Sequence, residues 1–80
     1  MKKRILIIGS GVLGAYLSEI FLKKFYEVYV GTRYLRKIYK NYRYLKKEKK
    51  IKFFKLNFLD KIEVESTIIK LKPEVVYYFA

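Results

Sequence analysis

Gly9, Gly11 and Gly14 stand in a G-x-G-x-x-G spacing, directly after the strand-like run Ile5-Leu6-Ile7-Ile8. A pattern of helical period follows at once, with Leu13, Leu17, Ile20, Phe21 and Phe25 on one face. A strand, a glycine turn and a helix in this order can hold a pyrophosphate. Gly9 permits the tight turn out of the strand. Gly11 has no Cβ, so its backbone can approach a phosphate. Gly14 lets the helix pack close to the strand. Ser10, Val12 and Leu13 complete the turn and the first helical positions, whose free N–H groups and positive dipole end face the phosphates. The alternative is a plain strand–turn–helix in which the glycines serve packing alone.

The next chemistry lies at the end of the second strand. Dinucleotide sites that take NAD place an Asp or Glu about twenty residues beyond the glycine turn, where it bonds the ribose hydroxyls. Here that region reads Gly31-Thr32-Arg33-Tyr34, without an acid. Arg33 offers a planar fork suited to a phosphate, and Thr32 offers a hydroxyl. Arg36 and Lys37 lie one turn onward. This pattern favours NADP over NAD as cofactor. The competing reading makes Arg33 the start of a solvated helix.

The elements that must position these residues alternate along the chain. Strands are expected at Arg4–Ile8, Glu27–Val30, Ile51–Leu56 and Glu74–Phe79. Helices are expected at about Val12–Lys24, Tyr34–Lys47 and from Asp60 to Leu71. In the second helix Leu35, Ile38, Tyr39, Tyr42 and Leu45 fall at helical spacing. Asp60 stands three residues before Glu63, as in a capping box. Pro73 disfavours helical geometry at Lys72. The unbroken run Val75–Phe79 suits a strand covered on both faces. The fold class is therefore α/β, a parallel four-stranded sheet in order 3-2-1-4 with three helices, a dinucleotide-binding Rossmann half-domain over residues 1–80.

Composition narrows the chemistry. Eighty residues make at most one small domain, and folding at this length buries only about 60–65% of the unfolded surface. With 52% hydrophobic residues the chain still has enough apolar surface to fold rather than remain disordered. There is no cysteine, which excludes a disulfide or thiolate zinc site and fits a cytoplasmic chain. Histidine is absent too, removing the commonest general base and metal ligand. No metal site and no catalytic residue is assigned. Met1-Lys2-Lys3-Arg4 leads into only four aliphatic residues, too few for a signal-peptide core. No apolar run approaches the about 20 residues of a membrane span.

The net charge of +12 is concentrated. Residues 33–55 hold eleven Lys or Arg against Glu48 alone, a net +10. Such a block attracts polyanions. A solvated helix face explains it more simply.

The motifs together resemble the extended and atypical short-chain dehydrogenase/reductases, the nucleotide-sugar epimerases, dehydratases and reductases. Ile7-Ile8-Gly9-Ser10-Gly11-Val12-Leu13-Gly14 is similar to that family's T-G-x-x-G-x-[LI]-G turn. Val28-Tyr29-Val30-Gly31-Thr32-Arg33 resembles the second strand of its NADP-preferring members. Asn57-Phe58-Leu59-Asp60 resembles the D-[LI]-x-D after strand three. Lys72-Pro73-Glu74-Val75-Val76-Tyr77-Tyr78-Phe79-Ala80 resembles K-P-D-x-V-[IF]-H-x-A. The resemblance implies that Asn57, Phe58 and Ala80 join the glycine turn, Thr32, Arg33 and Arg36 around the cofactor. Asn57 stands where an aspartate would meet the adenine amino group, and its amide oxygen can still accept. Ile8 replaces the family's first glycine, and Tyr78 lies at or beside a frequent histidine.

The resemblance covers the first third or so of that family's catalytic domain. Its catalytic Ser/Thr and Tyr-x-x-x-Lys come later than Ala80. Tyr42 and Lys46 match the spacing but not the place. The expectation is an N-terminal, truncated cofactor-binding part that does not catalyse alone. Two other functions stay open. One is nucleic-acid binding, with Tyr34, Tyr39, Tyr42, Tyr44, Phe53 and Phe54 interleaved among cations. The other is a non-binding relic or interaction module, whose fourth strand pairs with a second copy or with a missing C-terminal half.

Overall fold

A computed structural model of the chain describes residues 2–9, 11–35, 42 and 51–79. Its elements are β1 (Arg4–Ile8), α1 (Val12–Lys23), β2 (Glu27–Thr32), β3 (Ile51–Lys55), α2 (Lys61–Leu71) and β4 (Val75–Tyr78). The four strands form one sheet in the order β3-β2-β1-β4, and every pair is parallel. This is the α/β half-domain that the alternation predicted. Two helices fall among the described residues. The expected helix over 34–47 lies outside them except at Tyr34, Leu35 and Tyr42.

The register divides the side chains between two layers. Ile5 and Ile7 of β1 share a face with Val28 and Val30 of β2, and α1 covers them with Ala15 and Phe21. Leu6, Ile8 and Tyr29 face the other way and meet Val64, Ile68 and Leu71 of α2. β1 is buried on both faces, as its continuous apolar run requires. Tyr42, only 1% exposed, packs into the α1 layer edge-on to Phe53, with ring centroids 5.1 Å apart. This residue of the basic, tyrosine-rich stretch is core. Leu35, expected on the same buried face, is instead exposed.

The strand limits shift slightly. β2 runs through Gly31 and Thr32, two residues beyond Val30, because Gly31 pairs with both Ile8 and Phe54 and Thr32 pairs with Lys55. β3 and β4 stop one residue earlier than expected, at Lys55 and Tyr78, and β4 also starts one later.

The face that α1 buries differs from the expected one. Gly14, Ala15, Ser18 and Phe21 are buried, whereas Leu13 is 67% and Phe25 79% exposed. The helix starts so close to β1 that small residues occupy the contact. The larger Leu17 and Ile20 pack beside it, half-buried. Ser18 is accommodated by donating its hydroxyl to the Gly14 carbonyl at 2.8 Å. Phe25 lies past the helix end in the left-handed region, at φ 64. Its N–H donates to the Leu22 carbonyl, and that of Tyr26 to Phe21, both at 3.0 Å. These two bonds make a Schellman closure.

At the start of α2, Asp60 Oδ1 accepts from the N–H groups of Ile62 and Glu63 at 3.1 and 3.2 Å. The return half of the expected capping box is displaced. Glu63 Oε1 accepts from Asn57 N–H at 3.1 Å, while Asp60 N–H donates to the Asn57 carbonyl. The loop before the helix therefore takes the bond that would have gone to the cap. Lys72 ends α2 at φ 50 and ψ 53, so the chain leaves the right-handed helix just before Pro73. Arg4 anchors this end to the sheet. It donates to the Leu71 carbonyl at 3.1 Å and pairs with Glu27 at 3.2 Å.

Candidate functional site

The four strands run in one direction, so their carboxyl ends come together on one edge of the sheet. The glycine turn follows β1 there. Arg33 follows β2, Asn57 and Phe58 follow β3, and Phe79 follows β4. Strand order reverses between β1 and β4, where an open parallel sheet leaves its crevice.

Gly9 leaves β1 at φ 126, a backbone state that favours glycine. Its N–H donates to the Gly31 carbonyl at 2.8 Å, and Phe79 N–H donates to the Ile8 carbonyl at 2.8 Å. The turn is thus held between β2 and β4. A Cβ on Gly9 would lie 3.2 Å from Phe79 Cβ. Gly14 is also closely packed: a Cβ there would stand 2.9 Å from the Tyr42 hydroxyl and 3.3 Å from Ile7 Cγ2.

Gly11 differs. It has an ordinary φ of −78, and among the described residues, its chain neighbours apart, no atom lies within 4 Å of where its Cβ would be. Among the described residues, packing explains Gly9 and Gly14 but leaves open space beside Gly11. That space borders the start of α1. The first intrahelical bond runs from Ala15 N–H to the Gly11 carbonyl at 3.2 Å, and among the described residues no side chain caps the helix. The N–H groups of Val12, Leu13 and Gly14 precede that bond. Open backbone, a helix N-terminus and a glycine with no packing reason fit a phosphate group.

Thr32 is 2% exposed, and its hydroxyl oxygen accepts from Tyr34 N–H at 3.2 Å. It shapes the turn that carries Arg33. The Arg33 guanidinium lies 5.8 Å from the Tyr34 ring centroid and 5.9 Å from that of Phe58. Both rings steady a cation without neutralising it. Among the described residues, Arg33 makes no ion pair. Phe58 is fixed in turn by Tyr78, whose ring stands edge-on at 6.2 Å and whose hydroxyl donates to the Phe58 carbonyl at 3.3 Å.

Asn57 is exposed, and its Oδ1 accepts from Leu59 N–H at 3.1 Å. One lone pair of the amide oxygen is committed to the loop and the other is available. Val12 and Leu13 lie at the mouth of the turn, 70% and 67% exposed. Ser10, Arg36 and Ala80 lie outside the described residues, as does most of the basic stretch. The sequence reading missed Phe79, which closes over Gly9, and the Arg33–Phe58 contact across the β2 and β3 ends. Parallel alignment of those two strand ends was the available signal.

No described helix is long and apolar enough to cross a membrane. No curated protein gives a significant match to the chain. The family model described as GDP-mannose 4,6 dehydratase matches residues 6–80, nearly the whole chain. The turn at Gly9–Gly14, the parallel sheet and this match agree on a nicotinamide-dinucleotide-binding, nucleotide-sugar dehydratase-like module, and the chain belongs to the GDP-mannose 4,6 dehydratase family.

Proposed function

We propose that these 80 residues bind NADP in preference to NAD and do not turn over substrate on their own. The observation that carries this reading is Arg33. It stands at the carboxyl end of β2 with its guanidinium 5.8 and 5.9 Å from two aromatic ring centroids, and has no ion-pair partner among the described residues. A guanidinium in that state attracts a phosphomonoester, whereas a ribose diol would call for a carboxylate. Gly9, Ser10, Gly11, Val12, Leu13 and Gly14 form the pyrophosphate cradle in this proposal. Thr32, Arg33 and Arg36 are assigned to the 2′-phosphate end, Asn57 and Phe58 to the adenine, and Ala80 to the cofactor.

When bound, the nicotinamide ring supplies hydride transfer. The residues of this chain bind and orient the cofactor. A general acid is needed as well, and neither histidine nor a suitably placed Tyr-x-x-x-Lys occurs in the sequence. The cysteine-free composition supports a cytoplasmic setting.

Titration calorimetry with NADP and NAD tests the reading. NADP should bind more tightly, and Arg33→Asp should shift the preference toward NAD by roughly 1–3 kcal/mol. Equal or tighter binding of NAD by the unaltered chain refutes it. NADPH oxidation with carbonyl or sugar-nucleotide substrates should be undetectable. Turnover that disappears in Gly11→Val would overturn the non-catalytic assignment.

A further inference from the structure

Beside Arg33 the structure contains a cavity of about 260 Å³ lined by Arg33, Tyr34, Leu35 and Lys55. Lys55 ends β3, and its backbone is in register with Thr32 of β2. Both residues therefore border one cavity from adjacent strand ends. Lys55 is exposed, and among the described residues it makes no ion pair. Glu63, which follows soon after in sequence, is occupied by Asn57 N–H.

Charge balance gives this pairing a purpose. A phosphomonoester carries about −1.5 to −2 charges near pH 7. Arg33 supplies one positive charge in a rigid fork. A second cation on a flexible stem can meet the oxygen that the fork leaves free. We infer that Lys55 is the second cation of the 2′-phosphate subsite and sets, with Arg33, the discrimination between a 2′-phosphate and a 2′-hydroxyl. This rests on the NADP reading above and adds to it a residue that neither the glycine turn nor the end of β2 contains.

The test uses the full 80-residue chain with two small probes, adenosine 2′,5′-bisphosphate and adenosine 5′-monophosphate, titrated by calorimetry. They differ only in the group at issue. Lys55→Gln should weaken bisphosphate binding about three- to tenfold and leave the monophosphate unchanged, since an exposed cation acts through a partly screened contact. Lys55→Arg should restore the bisphosphate affinity. Arg33→Gln should lose more discrimination than Lys55→Gln.

Equal affinity of the unaltered chain for the two probes overturns both the Lys55 assignment and the NADP reading. Discrimination that survives in Lys55→Gln but is lost in Arg33→Gln overturns the Lys55 assignment alone. Equal weakening of both probes in Lys55→Gln also overturns it, because the lysine would then serve the shared phosphate or the fold.

Discussion

The backbone N–H of Gly9 donates to the carbonyl of Gly31 at 2.8 Å. This bond joins the exit of β1 to the last residues of β2. It sets the glycine turn, and with it Gly11, at a fixed distance from the segment that carries Arg33. On the other side Phe79 N–H donates to the Ile8 carbonyl, so the turn is held from both neighbouring strands. The two ends of the proposed dinucleotide site are thus positioned by backbone bonds rather than by flexible side chains.

Gly9 should be the least replaceable residue of the turn for stability. At φ 126 any L side chain is strained, and a Cβ would press on Phe79 Cβ at 3.2 Å. Gly9→Ala should lower the unfolding free energy by about 1–3 kcal/mol. A urea melt reads this as a lower midpoint. An unchanged midpoint would show that the turn relaxes freely.

Gly11 and Gly14 should separate binding from folding. Gly11→Ala adds a methyl to space that is open among the described residues, so stability should change by less than about 1 kcal/mol. Dinucleotide affinity should nevertheless fall about tenfold or more, because the methyl occupies the phosphate approach. Gly14→Ala should act the other way round. Overpacking against Ile7 and the Tyr42 hydroxyl costs about 1–3 kcal/mol, against about 1 kcal/mol gained in helix propensity. Adding Tyr42→Phe removes the nearest atom, so the double variant should be more stable than the sum of the singles. Undiminished binding by Gly11→Ala would refute the cradle.

The fold was largely legible because the local signals agreed. The apolar run of β1, the glycine turn, the Asp60 cap and Pro73 each fix one element, and parallel order follows from their alternation. The candidate site was readable as residue types that carry their own chemistry, Gly11 and Arg33, which the structure places after the carboxyl ends of β1 and β2. Three things were not readable. Helical periodicity counts apolar residues but not how closely a helix approaches a strand, so Leu13 and Phe25, on one face with Leu17, Ile20 and Phe21 by spacing, are exposed. The capping pattern does not reveal that Asn57 competes for Glu63. The pairing of Lys55 with Thr32 depends on strand register, which joins residues distant in sequence.

Phe25 offers a stabilising change. It holds φ 64 at the end of α1, where glycine is the usual occupant, and its ring is largely exposed. Left-handed geometry costs an L residue about 1–2 kcal/mol. Glycine removes that strain but loses some chain entropy on folding. Phe25→Gly should therefore raise stability by about 0.5–1 kcal/mol, with the Schellman bonds of Phe25 and Tyr26 retained. Chemical denaturation checks this. A lower midpoint would mean that the exposed ring contributes more than its exposure suggests.

β4 should promote self-association, and salt should reveal it. Among the described residues β4 pairs only with β1, leaving its outer edge without a strand. Val76 and Tyr78 lie on the α2 side of the sheet and Tyr77 on the α1 side, as their partners Leu6, Ile8 and Ile7 require. These three residues and Phe79 are 39–53% exposed. An apolar strand edge with apolar rings on both faces is suited to pairing with a second copy. The net charge of +12 opposes it, because like-charged chains repel at long range. Salt shortens that repulsion to about 10 Å at 0.1 M and leaves apolar burial intact. Sedimentation velocity should therefore show association that rises with protein concentration and also with salt. A polyanion bridging two chains would respond to salt in the opposite direction. Val76→Lys with Tyr78→Lys places charge on one face of the edge and should restore the monomer. A chain that stays monomeric at high concentration and moderate salt would show that β4 is protected as it stands.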